Sequence, residues 1–415
     1  MTMERRWPAP WAFGVLILPL AISFGFRMTS LPFLLATAGV PVNQIANVAS
    51  ILWVPATFAF FWAPAVDVKL RRRTWLVVGA VGTALGLCAA LPLIGTTHLK
   101  LLTAVVFATT AIADTVVMAS GGGLMVTMLD ANAQSHASAW QQAGQLGGGA
   151  LGGAVVIWLA GRVPMWAVGP LIAPVIVLPG LVALTIAEPR PGMSAWFRGR
   201  VGKIIREIWA LVRAPQRRWG TLLLLSPTGT GAAAALLPAI ASYYGVGAAG
   251  VMWVNGAAGG AMLALGALCG TLLPGDWDRR LTYAGAGLTN ALAAIVLITA
   301  NRPSIYLAGT ILYLLTNGLA WARFTALMVE IIGKDTRDAS TFFTALAAVG
   351  SVPVLFMTWL DGVGFHKFGT RGLLWMDAAP NILIFAIVAS VFVARGMSLR
   401  TVPQPAVLQA DIPTE

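Results

Sequence analysis

Three charged side chains stand inside long apolar stretches of the sequence: Arg27, Asp114 and Arg323. A charge in hydrocarbon costs at least about 2.5–3.5 kcal/mol, so such a residue usually faces a polar cavity or a partner of opposite charge. The two arginines favour an anionic or carboxylate-bearing ligand. Burial disfavours the charged form of a carboxyl group, so Asp114 is either a proton carrier or a permanent counter-ion to one of the arginines.

A second group of candidate binding residues is uncharged. Proline removes a helical hydrogen bond, so the segment Ser226-Pro227-Thr228-Gly229-Thr230 is expected to bend or unwind, with Ser226 and Thr230 one turn apart. It is either a ligand-contact site or a kink whose hydroxyls bond to their own helix. Tyr313 and Asn317, four residues apart, share one helical face ahead of Arg323. Arg323 itself either faces a cavity or extends to the inner interface.

The composition indicates which elements position these residues. Only 10% of the 415 residues are charged, whereas an ordinary soluble domain has roughly 25%. Apolar residues make up 58% of the chain. A soluble enzyme, a secreted domain and a disordered chain are therefore excluded, because each needs far more charge on its surface. The remaining class is an all-α protein that crosses a membrane many times.

Twelve apolar runs, each about 20 residues long, define the predicted spans 1 to 12. Their ranges are 11–35, 45–66, 75–94, 101–129, 140–160, 163–187, 219–241, 251–273, 281–300, 304–332, 340–360 and 378–394. On this assignment 20 of the 27 Lys and Arg residues lie on the side of the termini and five lie on the other. Basic residues favour the cytoplasmic side, which predicts that both termini are cytoplasmic.

A long basic connection divides the spans into two sets of six. The predicted parts are a six-helix bundle at 1–189, an amphipathic linker helix on the inner membrane face at 190–217, a second six-helix bundle at 218–397 and a disordered cytoplasmic tail at 398–415. Span 5 is rich in glycine between Gly144 and Gly153, and small residues of this kind allow helices to approach closely.

The connection between spans 2 and 3 carries the clearest motif. It reads Trp62-Ala63-Pro64-Ala65-Val66-Asp67 and continues to the basic cluster Arg71-Arg72-Arg73. This arrangement resembles the loop between helices two and three of the major facilitator superfamily. The Trp-Ala-Pro-x-x-Asp form is similar to the AmpG-type branch, the peptidoglycan-fragment and acetyl-coenzyme A transporters, and to related siderophore permeases. Asp67 at a helix C-terminus needs a cation, which Arg71 or Arg72 can supply.

The resemblance implies the major facilitator fold, in which spans 1, 4, 7 and 10 line a central cavity. It also implies a monomeric secondary transporter of the bacterial inner membrane, which works by alternating access and uses Asp67, Arg71 and Arg72 as a gating loop. A nucleotide-binding motif is missing from the sequence, so an ion or substrate gradient is expected to drive transport. The predicted partners are protons, the lipid bilayer and a polar, anionic small molecule such as a muropeptide-like fragment or a siderophore.

The alternative is a membrane-embedded transferase with a catalytic group in an outer loop, where Asp361, His366 and Asp377 are the candidates. Metal and cofactor sites are not expected, because the three histidines and two cysteines are scattered along the chain. Nucleic acid is not an expected partner either, because the net charge of +12 comes from the predicted cytoplasmic segments.

Overall fold

The structure is a computed structural model. It describes residues 9–59, 70–128, 131–186, 188, 202, 206, 215–270, 273–274, 277–332 and 339–397. Within these ranges nine helices are long and apolar enough to cross a membrane. Asp67, the tail 398–415 and nearly all of the predicted linker helix at 190–217 lie outside the described residues.

The first six spans are helical throughout their described parts, with short irregular turns. Span 1 comprises Ala12–Leu16, Leu18–Gly25, Phe26–Ser30 and Leu31–Thr37; span 2 comprises Val42–Ile51 and Val54–Thr57; span 3 is Arg72–Ala90; span 4 comprises Leu99–Ala111, Ile112–Val117 and Met118–Met128; span 5 is Ala131–Ala160; and span 6 is Met165–Val182. Span 5 begins nine residues earlier than predicted, because the polar but alanine-rich segment at 131–139 continues the helix.

The second six spans contain more breaks. Span 7 comprises Pro215–Leu224, Ala232–Ala235, Leu237–Ile240 and Ala241–Tyr244; span 8 comprises Ala248–Val251, Met252–Ala257 and Ala258–Cys269; span 9 is Arg279–Ile298; span 10 is Pro303–Ile332; and spans 11 and 12 share Ala339–Ala394. Phe368 and Gly369 interrupt that last stretch with non-helical backbone angles. Gly364 packs on Gly372 across the break, so the chain reverses there and crosses twice.

The described helices therefore form twelve passes in two six-helix bundles, with spans 2 and 7 built from short helices and spans 11 and 12 joined in one long stretch. Small residues let helices of the two bundles meet: a Cβ atom at Gly256 would lie 2.7 Å from Cβ of Ala154, and one at Gly260 would lie 2.6 Å from Cβ of Ala150. These contacts join spans 8 and 5. On another side of the molecule the Ser50 hydroxyl donates a hydrogen bond of 2.7 Å from span 2 to the Leu355 carbonyl in span 11.

The buried apolar side chains are distributed unevenly between the two ends of the molecule. At the end away from the termini, one large cluster contains residues of both bundles, such as Leu35 and Val48 from the first and Leu237 and Leu374 from the second. The described residues also form smaller clusters, each of which is confined to one bundle. The bundles are thus packed against each other at the end opposite the termini, which closes the molecule there.

Candidate functional site

Arg27 and Asp114 form a buried ion pair inside the first bundle. Arg27 Nη1 donates to Asp114 Oδ2 at 2.7 Å, and Arg27 Nη2 donates to Asp114 Oδ1 at 3.2 Å. The side chains are only 4% and 10% exposed. Two parallel hydrogen bonds are the strongest arrangement available to a guanidinium and a carboxylate. The structure therefore pairs Asp114 with Arg27 rather than with Arg323.

The backbone around this pair departs from regular α-helix on both sides. Arg27 lies in the π-helical turn Phe26–Ser30, and Asp114 lies in the π-helical turn Ile112–Val117. Such turns insert one extra residue into a helix and occur frequently at functional sites.

Aromatic side chains enclose the Arg27 guanidinium, whose carbon lies 5.0 Å from the ring centre of Phe24 and 5.2 Å from that of Trp53. Arg27 Nη1 also donates to the Leu52 carbonyl at 3.3 Å. Trp53 and Leu52 belong to span 2, which the sequence did not single out. The pair is therefore held by spans 1, 2 and 4 in a largely apolar surrounding.

Span 7 is unwound at the segment expected to bend. Helix Pro215–Leu224 ends before Ser226, and the next helical turn starts only at Ala232. Ser226 and Thr230 consequently do not share a helical face, contrary to the prediction. The Ser226 hydroxyl bonds back to the Leu223 carbonyl at 2.6 Å. The Thr230 hydroxyl is buried and has no hydrogen-bond partner among the residues that the structure describes, so it is the free polar group of this segment.

Asn317 packs directly against the unwound segment. A Cβ atom at Gly231 would lie 1.3 Å from Asn317 Nδ2, and Gly231 has a φ of +60°. Both facts require glycine at this position. The Asn317 side-chain nitrogen is buried without a partner in the described part of the chain. A small cleft of about 10 Å³ lies next to the unwound segment, and Thr230 and Tyr283 contribute to its wall.

Tyr313 lies one helical turn from Asn317 in span 10. Its side chain reaches Asp377, which was predicted to lie in an outer loop. Its hydroxyl donates to Asp377 Oδ2 of span 12 at 2.8 Å. The Asn381 amide, four residues after Asp377, accepts a hydrogen bond of 2.7 Å from the Gly229 backbone in span 7. Asp377 was predicted to lie in the outer loop, because the predicted span 12 began at residue 378, and Asn381 within that span was not singled out. Their spacing of four residues was the available signal.

Arg323 lies apart from the other candidate residues. Its Nη2 donates to the Thr282 hydroxyl at 2.6 Å, and its Nη1 donates to the Gly270 carbonyl at 3.5 Å. The side chain is 7% exposed, and no carboxylate among the described residues pairs with it. It therefore does not extend into water, and it does not join Arg27 and Asp114.

The predicted gating loop is only partly described, because Asp67 lies outside the described residues. Arg71 is the residue before helix Arg72–Ala90. The carboxylate of Glu188 accepts hydrogen bonds from the backbone nitrogens of Arg72 at 3.2 Å and Arg73 at 3.1 Å. Glu188, at the end of span 6, thus caps the N-terminus of the span 3 helix. The sequence did not predict this role, because Glu188 simply follows the last residue of predicted span 6.

The expectation of an outer catalytic loop was wrong. Asp361 and Asp377 lie inside the helices of spans 11 and 12 and are fully buried, whereas His366 is exposed near the chain reversal at Phe368. The reversal takes only a few residues, because Gly364 and Gly372 allow the two helices to approach closely. Because His366 is exposed and Asp361 and Asp377 are buried, the three side chains do not form a common catalytic site for a transferase.

Comparisons with known proteins agree with this architecture. The family model of the Major Facilitator Superfamily matches residues 13–352. No curated protein matches the chain.

Among solved structures, the chain is similar to a D-xylose-proton symporter, with a TM-score of 0.67, 13% identity, and 94% of this chain and 99% of that chain covered. The nucleoside transporter NupG gives a TM-score of 0.70 and 12% identity, with 92% and 99% covered. A POT family transporter in complex with a thioalcohol-conjugated peptide gives 0.68 and 13%, with 93% and 96% covered.

At these identities the solved structures show a shared fold, and the family model extends over most of the chain. The protein is a multi-pass membrane transporter rather than an enzyme, and it belongs to the major facilitator superfamily.

Proposed function

We propose that the chain is a proton-coupled transporter of a polar, anionic small molecule. The observation that carries this proposal is the buried pair of Arg27 and Asp114. A buried arginine held by a carboxylate presents the donor geometry that a carboxylate-bearing substrate needs. The D-xylose symporter of similar fold is named for its proton coupling, which supports a proton as the second transported species.

The coupling proceeds by exchange at Arg27. A substrate carboxylate takes the place of Asp114 on the Arg27 guanidinium, because both carboxylates fit the same two donors. Asp114 is then left in apolar surroundings without its counter-ion, and it takes up a proton. The substrate anion and the proton therefore bind together, which couples the flow of one to the gradient of the other.

Arg323, Thr230 and Asn317 are proposed as further substrate contacts in the second bundle. Each carries a buried nitrogen or oxygen that has no hydrogen-bond partner in the described residues. Unpaired buried polar atoms are costly, and a bound polar ligand satisfies them. Tyr313 and Ser226 hold the surrounding framework, because each already makes a hydrogen bond within the protein.

The substrate class follows the resemblance of the segment at 62–73 to AmpG-type and siderophore permeases. We propose a muropeptide-like fragment or a siderophore. The protein is proposed to lie as a monomer in the bacterial inner membrane, with cytoplasmic termini and with bundles at 1–189 and 218–397. With this proposed orientation the end at which the bundles share an apolar cluster is the outer one. Arg71 and Arg72 of the proposed gating loop lie at the opposite end, at the start of span 3.

The test uses the purified protein. A thermal-shift screen with muropeptides, siderophores and other organic anions identifies a ligand, because a ligand stabilises the folded state that binds it. Uptake of that ligand into liposomes under a pH gradient then tests coupling. Asp114→Asn is expected to abolish pH-driven uptake and to retain counterflow exchange, whereas Glu330→Gln, at the end of span 10, serves as a control. Unchanged pH-driven uptake by Asp114→Asn contradicts the proposal.

A further inference from the structure

A second buried acidic site lies in the other bundle, where spans 11 and 12 meet span 10. Asp361 and Asp377 are both 0% exposed. Tyr313 donates a hydrogen bond to one oxygen of Asp377. Both carboxyl oxygens of Asp361, and the second oxygen of Asp377, are buried without a hydrogen-bond partner among the described residues. Three of four carboxyl oxygens in this site are therefore unsatisfied.

This site differs from the pair in the first bundle because none of the described residues supplies it with a counter-ion. Within the described part of the chain, no Lys, Arg or His forms an ion pair with Asp361 or Asp377. Gly364 of span 11 packs on Gly372 and Met376 of span 12, and the two helices run antiparallel from the reversal between them, so Asp361 and Asp377 lie at a similar depth on neighbouring helices. Two carboxyl groups placed in this way repel each other if both are ionised.

The helices packed around the acids add no positive charge. Span 10 contributes the Tyr313 hydroxyl, and span 9 contributes Asn290, whose amide donates to the Tyr313 carbonyl at 3.2 Å. Span 2 meets span 11 at Gly362, where its contacts are Ala46 and the Asn43 carbonyl. Among the described residues, the titratable groups that face the site are therefore the two acids and Tyr313.

Asp361 and Asp377 cannot both stay ionised in this buried site. A buried carboxylate without a cation is strongly disfavoured, and a second one beside it adds repulsion. Addition of a proton to a carboxylate oxygen removes one charge and provides a hydroxyl donor for a neighbouring oxygen. This step breaks no covalent bond and needs no other reactant.

We propose that Asp361 and Asp377 form a proton-binding site in the second bundle, separate from Arg27 and Asp114. Its role in transport rests on the proposed proton coupling, but the binding of a proton there does not. The site is connected to span 7 through Asn381. The Asn381 side chain donates to the Asp377 carbonyl at 2.8 Å and accepts from the Gly229 nitrogen at 2.7 Å. Protonation of the pair is thus linked to the unwound segment that borders the candidate substrate contacts.

The experiment detects the proton itself and needs no substrate. The full-length protein in liposomes is titrated across neutral pH while infrared spectroscopy follows the carbonyl stretch of protonated carboxyl groups. We expect a band at neutral pH that Asp361→Asn and Asp377→Asn each reduce or remove. Tyr313→Phe is expected to move its titration to higher pH, because the variant loses a hydrogen bond to the charged form. Glu330→Gln removes a carboxyl group outside the site and is expected to leave the band in place.

A second measurement, thermal unfolding as a function of pH, shows whether the variants still fold. Thermal unfolding of the wild type is expected to occur at lower temperature as the pH rises and the pair loses its proton. The double variant with both asparagines is expected to lose this part of the pH dependence while remaining folded. A neutral-pH band that is unaffected by both substitutions overturns the proposal, and so does stabilisation by sodium ions that Asp361→Asn abolishes. Either result leaves the Asp114→Asn test of coupled uptake unaffected, so the two proposals fail separately.

Discussion

Arg27 and Asp114 are joined by two hydrogen bonds, at 2.7 Å and 3.2 Å, inside the first bundle. Removal of one partner leaves an uncompensated buried charge, so Arg27→Met or Asp114→Leu alone is expected to lower the free energy of unfolding by about 3–5 kcal/mol. The double variant is expected to recover most of this loss, because it leaves no buried charge. Thermal and denaturant unfolding in detergent measure the cycle, and additive losses in the double variant would argue against a structural pair.

Arg323 is buried, and the described residues offer it a hydroxyl and a carbonyl but no carboxylate. If it binds the anionic substrate, Arg323→Gln removes a charged hydrogen bond of about 1.5–3 kcal/mol. The expected result is a loss of substrate affinity of roughly 10- to 150-fold, measured by titration of the ligand found in the thermal-shift screen. Thr282→Val, which removes the arginine's hydroxyl partner but keeps its charge, is the matched control. Equal affinity in wild type and Arg323→Gln excludes the contact.

Gly231 is required by both its backbone and its neighbour. Its φ of +60° disfavours a side chain by about 1–2 kcal/mol, and a Cβ atom there would overlap Asn317. Gly231→Ala is therefore expected to destabilise the protein by at least that amount. Gly285→Ala is the control, because nothing lies within 4 Å of its Cβ position in helix Arg279–Ile298, and it is expected to stabilise by about 0.5–1 kcal/mol. Similar melting temperatures for both variants would show that span 7 is not fixed in this unwound form.

Gly362 brings spans 11 and 2 together at the closed end, since a Cβ atom there would lie 2.2 Å from Cβ of Ala46. Gly362→Leu is expected to separate these helices and to increase access from that side. The measurement is the labelling of Ala239→Cys by a membrane-impermeant maleimide, with Cys88 and Cys269 replaced by serine. Ala239 is 1% exposed and belongs to the large shared cluster. Equal labelling of the Gly362→Leu variant and of the same protein with Gly362 retained would contradict this prediction.

Much of the architecture could be predicted from local sequence. The apolar runs predicted the membrane passes, because each run is long enough to cross a bilayer. The glycines of span 5 do approach a neighbouring helix closely, since a Cβ atom at Gly25 of span 1 would lie 1.8 Å from the Gly149 carbonyl oxygen. The charges of Arg27 and Asp114 indicated that spans 1 and 4 face polar surroundings, but the sequence did not decide between Arg27 and Arg323 as the partner of Asp114. Charge in an apolar run is a strong signal, since hydrocarbon tolerates so little of it.

The remainder depends on contacts between residues distant in sequence. Tyr313 and Asp377 are 64 residues apart, and Gly229 and Asn381 are 152 apart, so no local pattern predicts that they meet. The π-helical turns around Arg27 and Asp114 likewise arise from packing rather than from a recognisable motif. Asp361 and Asp377 were assigned to a loop because a charged residue normally ends an apolar run. The structure retains them within the bundle instead.

The shared apolar cluster at the closed end makes the two directions of opening energetically unequal. Separation of the bundles there exposes apolar surface to water, at about 2.5 kcal/mol for every 100 Å² at the usual transfer coefficient. A substrate shifts the equilibrium only as far as its binding free energies to the two states differ. The apolar area exposed at the closed end, less the area buried when the other end closes, therefore sets the preference between the two states that substrate binding must offset. A ligand that binds tightly but equally well to both states would occupy the protein without shifting it toward the other state.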